Sequence, residues 1–498
     1  MKALNTLKKH KYLFILILVI TPLILIDITK NPIYLWDEGR NSLNALEMYF
    51  NNNFLVMHYD GEPDMWNTKP PLLIWLQTIS MYIFGINELS IRIPSIIAAY
   101  ITCIYLYFFS ENFLKNKWIG ILSAIILITT NGYIEIHGVK TGDFDALLTM
   151  FLTIASLSIF KYCCTNKISS LYTFFIALTL ATLTKSIAGL LFIPAYFLLL
   201  LFNKKLIPTI STKHFYFGSL IFIASIAGYY GLREIYNPGY INAVFENELG
   251  GRLNSTVDGL ETKNNLYYLE NFFNEYNRFK YWIYLLPFAL IINLFNPNKT
   301  LVKLSLYSFL LVFIHYLIIT KASSKYYWYD TPWFPFLALI ISIGISTSYK
   351  LLEKYKSLRL NFIPIALATL VSIIAYKDIY IKNTSPYNEY ERNINLLSLF
   401  FQEARYGKRE IEQNLVYCSS ITRYNAMFYI NQLNHIYNFN IQEKEWNKLV
   451  PGDIVVVGHD DEIKQNIENR YTVKILENNQ QDYLYNGIKK YQIINIKY

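Results

Sequence analysis

With 498 residues, 53% hydrophobic, 17% aromatic and only 16% charged, the chain falls well below the roughly 25% charge of a soluble protein. Apolar runs of 15–20 residues recur from residue 12 to residue 376, more than one water-soluble core can take up, which points to a polytopic helical membrane protein. The net charge of +9 concentrates in short loops, a topology signal rather than a nucleic-acid surface, and Cys103, Cys163, Cys164 and Cys418 form no CxxC or paired framework.

The first apolar run, Tyr12–Ile26, follows Lys8, Lys9 and Lys11. It has no small-x-small cleavage site, and Pro22 and Asp27 lie near its far end, so it is expected to stay as an anchor helix. Residues 35–75 form the first long polar stretch, with Asp37-Glu38-Gly39-Arg40 at its start and Asn67-Thr68-Lys69-Pro70-Pro71 near its end. Apolar segments follow near 70–85, 91–110, 118–136, 146–160, 170–184, 186–202, 215–232, 281–296, 304–320, 331–348 and 361–376. Pro70 and Pro71 suit a helix start and Gly85 its end. A helix over 70–85 reaches only ~24 Å against a hydrocarbon core of ~30 Å.

Loop charge decides where that segment lies. If 70–85 rests along the surface with the N-terminus inside, the inner loops hold Lys115, Lys117, Lys161, Lys167, Lys204, Lys205, Lys213, Lys299, Lys303, Lys350, Lys354, Lys356 and Arg359. The short outer loops then hold only Lys140, Lys185, Lys321 and Lys325, as the positive-inside rule requires. The expectation is about eleven spans, an interfacial helix in the first outer loop, and all charged motifs on the outer face. Residues 1–376 form this membrane domain. Residues 377–498 change character: strand-like stretches at Leu415–Cys418, Asp453–Gly458, Tyr471–Leu476 and Tyr491–Ile496 alternate with helical spacing at Asn425–Gln432 and Asp460–Asn469. That pattern predicts a small extracytoplasmic α/β domain.

Several clusters are candidates for chemistry. Asp37 or Glu38 would position or deprotonate an acceptor, with Arg40 one turn away to hold a phosphate; the same residues would also serve an ordinary acidic helix N-terminus. Lys69, pushed to extended geometry by Pro70, points off a helix end, suited either to a phosphate or to lipid headgroups. Between two spans, Glu135, His137, Asp143 and Asp145 could meet a sugar hydroxyl, Lys69 or a divalent cation, the one candidate cofactor. Glu248-Leu249-Gly250-Gly251-Arg252 offers close backbone approach and a second phosphate clamp. Lys325 and Tyr329, one turn apart in an aromatic stretch, close a pocket or belong to a membrane belt.

In this order the pieces resemble the GT-C glycosyltransferases related to the bacterial aminoarabinose transferase of lipid A (ArnT) and, more distantly, the protein O-mannosyltransferases. The likeness rests on Asp37-Glu38-Gly39-Arg40, Lys69-Pro70-Pro71-Leu72-Leu73-Ile74-Trp75-Leu76, Phe84-Gly85-Ile86-Asn87-Glu88, Arg92-Ile93-Pro94-Ser95 and Thr141-Gly142-Asp143-Phe144-Asp145. Leu183-Thr184-Lys185-Ser186 stands where the family tends to have Leu-Thr-Lys-Gly, and Lys325, Tyr329 and Pro332 keep its Lys-x-x-x-Tyr-x-x-Pro spacing. Departures are Thr68, where many relatives have Glu, Tyr327, where Pro is frequent, and Asp258-Gly259-Leu260-Glu261, near where many carry Gly-His.

The resemblance implies a GT-C membrane domain of about 11–13 helices, covering roughly 1–345, in a bacterial inner membrane with the active site on the periplasmic face. It implies a polyprenyl (undecaprenyl) phosphate sugar as donor and a lipid A-like or other envelope glycan as acceptor. By family role Asp37 would be the main catalytic or acceptor-orienting carboxylate, Arg40, Lys69, Lys325 and Tyr329 would surround the donor phosphate, and Asp143 or Asp145 would be the second acidic group. With the residue readings above, the expected site has Asp37, Glu38 and Asp145 as catalytic and Arg40, Lys69, Asp143, Glu248, Arg252, Lys325 and Tyr329 as substrate-binding. A flippase for lipid-linked saccharides is the alternative; it calls for mid-membrane charge and broken, repeated helices, whereas the charges here gather at one face. A scaffold displaying the C-terminal domain would not need Asp37, Arg40 and Lys69 together.

Overall fold

A computed structural model describes residues 10–250, 263–274, 277–353, 362–385, 389–421, 423–478 and 487–497. Lys8, Lys9, Gly251, Arg252, the 258–261 stretch, Lys354, Lys356 and Arg359 lie outside the described residues. The chain divides into two compact units: Met1–Ile28 with Asn51–Thr384, and Thr29–Phe50 with Ser385–Tyr498.

The first unit is a helical membrane body. Among its described residues, seven helices are long and apolar enough to cross a bilayer: Glu88–Asn112, Phe144–Thr165, Ile168–Leu190, Lys213–Tyr236, Lys299–Lys321, Tyr327–Leu352 and Ile363–Lys382. Five shorter apolar helices join them: Lys11–Leu25, Leu72–Phe84, Lys117–Ile128, Ile193–Phe202 and Lys280–Asn293. Phe144–Thr165 is central, with 83% of its apolar window buried, against 11% for Lys213–Tyr236 and 17% for Ile363–Lys382 on the periphery.

Local chemistry sets the helix ends. Asn87 and Ser90 form a reciprocal capping box at the start of Glu88–Asn112. The helix expected near 70–85 runs Leu72–Phe84, begins at Pro71 and ends at Gly85 with φ 78°. Its thirteen residues give ~20 Å, short of a span. It packs through Leu73 against Ala98, Phe144 and Leu147, so the motif loop before it is tied to the central helix.

Two buried cations hold the end of Lys11–Leu25. Lys140 Nζ donates to the carbonyls of Ile24 (3.2 Å) and Ile26 (2.5 Å), and Arg92 donates to Ile28 (2.6 Å). Positive charge at a helix C-terminus is favourable, and these bonds fasten loop 135–143 in place. At Gly120 a Cβ would stand 2.6 Å from the backbone of Leu106 and Tyr107, so only glycine permits that close helix crossing. Asn293 donates to Ser305 (2.8 Å) and to the Ile340 carbonyl (3.0 Å), linking three helices with polar bonds in an apolar surrounding. All four cysteines are free thiols.

The second unit carries a five-stranded sheet in the order Asn440–Glu443, Asn414–Cys418, Ile454–Val457, Lys489–Ile496, Tyr471–Asn478. Its strands are β3 (Asn414–Cys418), β4 (Asn440–Glu443), β5 (Ile454–Val457), β6 (Tyr471–Asn478) and β7 (Lys489–Ile496), the hairpin pair β1 (His58–Tyr59) and β2 (Glu62–Pro63) belonging to the first unit. β3 pairs parallel with β4 and β5, and β7 pairs antiparallel with β5 and β6. Unbroken buried runs in β3 and β5 suit parallel strands covered on both faces. The helices are Glu389–Arg405, Tyr424–Tyr437 and Asp461–Arg470. The helix Asp37–Asn51 groups with them, packing Gly39 against Tyr424 and Asn425.

Candidate active site

In the first unit a cavity of about 220 Å³ opens among helix ends. Its wall includes four charged residues, Lys69, Asp145, Lys185 and Glu248, and apolar ones such as Leu148, Ile187, Leu191, Ile318, Ile319 and Pro332. Tyr329 and His315 complete it.

Lys69 is fixed by the loop that carries it. The Tyr240 hydroxyl donates to the Thr68 carbonyl at 2.8 Å, and Asn247 donates to the Met65 carbonyl at 2.8 Å. Asp64 accepts from the Trp66 and Asn67 amides, closing the turn. The Lys69 ammonium lies 5.3 Å from the Phe144 ring and 3.8 Å from Glu248, the outer limit of an ion pair. Beside it the buried Thr68 hydroxyl has no hydrogen-bond partner among the described residues.

Asp145 sits in the first turn of Phe144–Thr165, and Lys185 in the last turn of Ile168–Lys185. Each charge is favoured by the dipole of its own helix. Lys185 Nζ donates to both Asp145 oxygens, at 2.6 and 2.7 Å, in a pair almost wholly buried. The same ammonium lies 5.5 Å from the Tyr329 ring. Ser186 follows with φ 48° and ψ −130°, a conformation that glycine adopts and serine resists.

Tyr329 is set by its neighbours. Arg278 binds Asp330 with a shortest contact of 2.5 Å and also donates to Thr331 at 3.1 Å, all buried, which locks the helical turn Tyr327–Trp333. Lys325, close in sequence to Ser324 of the cavity wall, donates to the Lys263 carbonyl at 3.0 Å; burial draws its ammonium below the ordinary lysine range.

The carboxylates of the 135–145 loop have separate partners. Asp143 accepts from Thr141 at 2.6 Å and meets His137 Nδ1 at 3.2 Å. Burial alone would raise its pKa; His137, Thr141 and Lys185 outweigh it and hold the carboxyl below the usual range. The His137 ring stacks on Trp328 at 3.7 Å between centroids. Glu135 instead binds Lys382 at 2.6 Å, and Asp145 binds Lys185. Burial likewise pushes Lys140 down to about 7. Of the four groups read as a cation cluster, His137 and Asp143 stay together within this unit.

Asp37, Glu38 and Arg40 belong to the second unit. Trp36, with φ 73°, turns the chain into the helix Asp37–Asn51. Asp37 is exposed in the first turn, whereas Glu38 is buried and accepts the Tyr34 amide at 2.7 Å. Arg40 lies over the Tyr424 ring at 5.3 Å. In the sequence Lys185 stands only as part of a motif and a loop charge, and His315 as a lone histidine in an apolar run. The signal available for both was an ionisable group in or beside an apolar run.

A family model described as dolichyl-phosphate-mannose-protein mannosyltransferase matches residues 68–230. The structure superposes on ArnT from Cupriavidus metallidurans bound to undecaprenyl phosphate with a TM-score of 0.69 and 12% identity, covering 97% of this chain and 98% of that one. The chain has the ArnT-like GT-C fold. An undecaprenyl phosphate-alpha-4-amino-4-deoxy-L-arabinose arabinosyl transferase of Enterobacter sp. (strain 638) is 25% identical over 153 residues, 30% of this chain and 27% of that protein. The putative mannosyltransferase YkcB of Bacillus subtilis is 26% identical over 191 residues, 37% of this chain and 25% of that protein. The matched stretches span between 21% and 44% of the curated relatives' length. The ArnT-like chain is a multi-pass membrane protein with a small α/β domain at its C-terminal end, the class expected from its sequence.

Proposed function

We propose that this ArnT-like protein is a glycosyltransferase that moves a sugar from a polyprenyl (undecaprenyl) phosphate to a lipid A-like or other envelope acceptor on the outer face of the inner membrane. The observation that carries the reading is the cavity, whose wall joins Lys69, Glu248 and the Asp145–Lys185 pair to a majority of apolar side chains. A ligand with a charged head and an apolar tail matches both kinds of side chain. The names of the relatives, which concern undecaprenyl and dolichyl phosphate sugars, support the same class.

The transfer inverts the anomeric carbon. The acceptor oxygen forms a bond to that carbon while the carbon–oxygen bond to the phosphate breaks, and polyprenyl phosphate leaves. The donor phosphodiester carries one negative charge and the departing monoester about two, so charge grows on the phosphate in the transition state. Lys69, Arg40 and Lys325 are assigned to that charge, Tyr329 to the phosphate oxygens, and Glu248 to holding Lys69. Asp37 orients the acceptor, and takes its proton where the acceptor is a hydroxyl. Asp145 and Asp143 are the second acidic groups, facing sugar hydroxyls. A divalent cation is the one candidate cofactor for these steps, and Arg252 is a candidate second phosphate clamp.

Mass spectrometry of lipid A and other envelope glycans, from cells carrying the wild type, a deletion, Asp37→Asn or Lys69→Ala, tests the reading. A pentose or amino-sugar mass lost from lipid A phosphate in all three altered strains is the expected result. Loss from another glycan or from protein keeps the enzyme and moves the acceptor. Unchanged glycans in the deletion strain would overturn the reading.

A further inference from the structure

We propose that the C-terminal α/β domain is a built-in clamp that aims the Asp37–Arg40 segment, with Tyr424 as the positioning residue for the Arg40 guanidinium. The inference rests on the roles just proposed for Asp37 and Arg40. It assigns a purpose to a domain whose own sequence carries no recognisable catalytic motif.

Within the second unit, the C-terminal residues meet the 33–50 segment at its start, at the motif and at its end. Before the motif, the Ile33 amide donates to the Tyr429 hydroxyl at 3.1 Å, and both residues are fully buried. At the motif, a Cβ on Gly39 would stand 2.8 Å from the Tyr424 Cβ, 3.0 Å from the Asn425 amide nitrogen and 3.1 Å from the Tyr34 carbonyl. The two backbones therefore meet at a distance only glycine allows. At the next residue the Arg40 guanidinium lies over the Tyr424 ring. At the far end of the helix, Phe50 packs on His435 with centroids 5.0 Å apart.

The gripping helix is itself rigidly held. Asn425 is fully buried; it donates to Asn395 at 3.1 Å, and its carbonyl accepts from Ser398 at 3.2 Å, both on the helix Glu389–Arg405. Arg423 donates to Ser419 at the end of β3 and to the Ile394 carbonyl. The ring of Tyr424 is thus placed by the sheet and two helices. A long, flexible arginine resting on it loses rotamer freedom before any ligand arrives, which is preorganisation. Glu38 strengthens the grip from inside, since its carboxylate holds the Tyr34 amide whose carbonyl abuts Gly39.

The test is binding of undecaprenyl phosphate to the full chain in nanodiscs, for wild type, Arg40→Ala, Tyr424→Leu, Tyr424→Phe, Gly39→Ala and the double variant Arg40→Ala/Tyr424→Leu. Thermal midpoints check that each is folded. Tyr424→Leu is expected to weaken binding roughly 3- to 30-fold, the range of a partly buried cation–aromatic contact. Tyr424→Phe keeps the ring and stays within about twofold by the same reasoning. Gly39→Ala weakens binding by pushing the helix off its seat. The double variant should bind no worse than Arg40→Ala, because Tyr424 acts through Arg40. If Arg40→Ala weakens binding but Tyr424→Leu does not, the clamp is refuted and the phosphate role stands. If Tyr424→Leu adds fully to Arg40→Ala, Tyr424 supports the fold alone and the proposal fails. If Arg40→Ala leaves binding unchanged, the role assigned to Arg40 falls, and the inference with it.

Discussion

Replacing Lys185 by methionine should destabilise the protein far more than an ordinary substitution. The lysine's two bonds to Asp145, at 2.6 and 2.7 Å, lie in a region where both residues are at most 7% exposed. Removing the ammonium leaves a buried carboxylate without its ion-pair partner. Such broken buried pairs cost about 3–5 kcal/mol, a large share of the 5–15 kcal/mol that a typical fold commands. Replacing both partners, as Asp145→Leu with Lys185→Met, removes the stranded charge and should recover most of the loss. Unfolding midpoints in detergent for the two single variants and the double give the coupling, expected to exceed about 2 kcal/mol. The double variant should nonetheless lose the proposed transfer, because two of the four charged side chains of the cavity wall have gone. A Lys185→Met protein within about 1 kcal/mol of wild type would refute the argument that the pair is buried and mutually dependent.

Ser186→Gly should stabilise by about 1 kcal/mol, since relief of φ 48°, ψ −130° exceeds the entropy glycine adds to the unfolded chain; the melting midpoint reads it. Some of that gain is offset by loss of the bond from the Tyr230 hydroxyl at 3.2 Å. Arg278→Met should cost about 3–5 kcal/mol and loosen the turn that presents Tyr329, lowering both the midpoint and undecaprenyl phosphate binding. The Asp143 carboxyl titrates below its unfolded value, so the folded state binds fewer protons between the two pKa values. Its contribution is therefore complete above the unfolded pKa of about 3.9 and lost as pH falls through the lower, folded value. The difference in midpoint between wild type and Asp143→Asn should shrink on acidification from pH about 7 to about 3; a constant gap would show that His137 and Thr141 do not hold the carboxylate charged.

The membrane architecture was legible because it is written in composition and helix punctuation. Apolar runs announce spans, and Pro71 and Gly85 bound Leu72–Phe84 as a proline start and glycine stop demand. In the second unit, β3, β5, β6 and β7 showed as short strand-like stretches, β3 and β5 as nearly unbroken apolar runs. The short β4, Asn440–Glu443, did not, because only Ile441 on it is buried. The helix Glu389–Arg405 also escaped, since it follows a span closely and its apolar stripe reads as a tail of that span. Pairings across hundreds of residues have no local signature. Neither the grip of Tyr424 on Gly39 nor that of Lys185 on Asp145 follows from any spacing in the sequence.

What the sequence does carry is the place where such pairings form. A membrane helix satisfies its own backbone except at its ends, so termini are where polar side chains cost least and are most useful. Asp145 enters in a first turn, Lys185 leaves in a last turn, and Lys69 stands just before the proline that starts a helix. Asp145 and Lys185 are each stabilised by their helix end before they meet, whereas Lys69, a cation at a helix start, is held by its loop. Bringing these termini to one cavity concentrates charge without burying an isolated ion in hydrocarbon, which the bilayer would not tolerate. Ser186 fits the same logic. The helix stops at Lys185, whose ammonium reaches Asp145, and the strained backbone of Ser186 follows at once, beside the charged residues of the cavity wall.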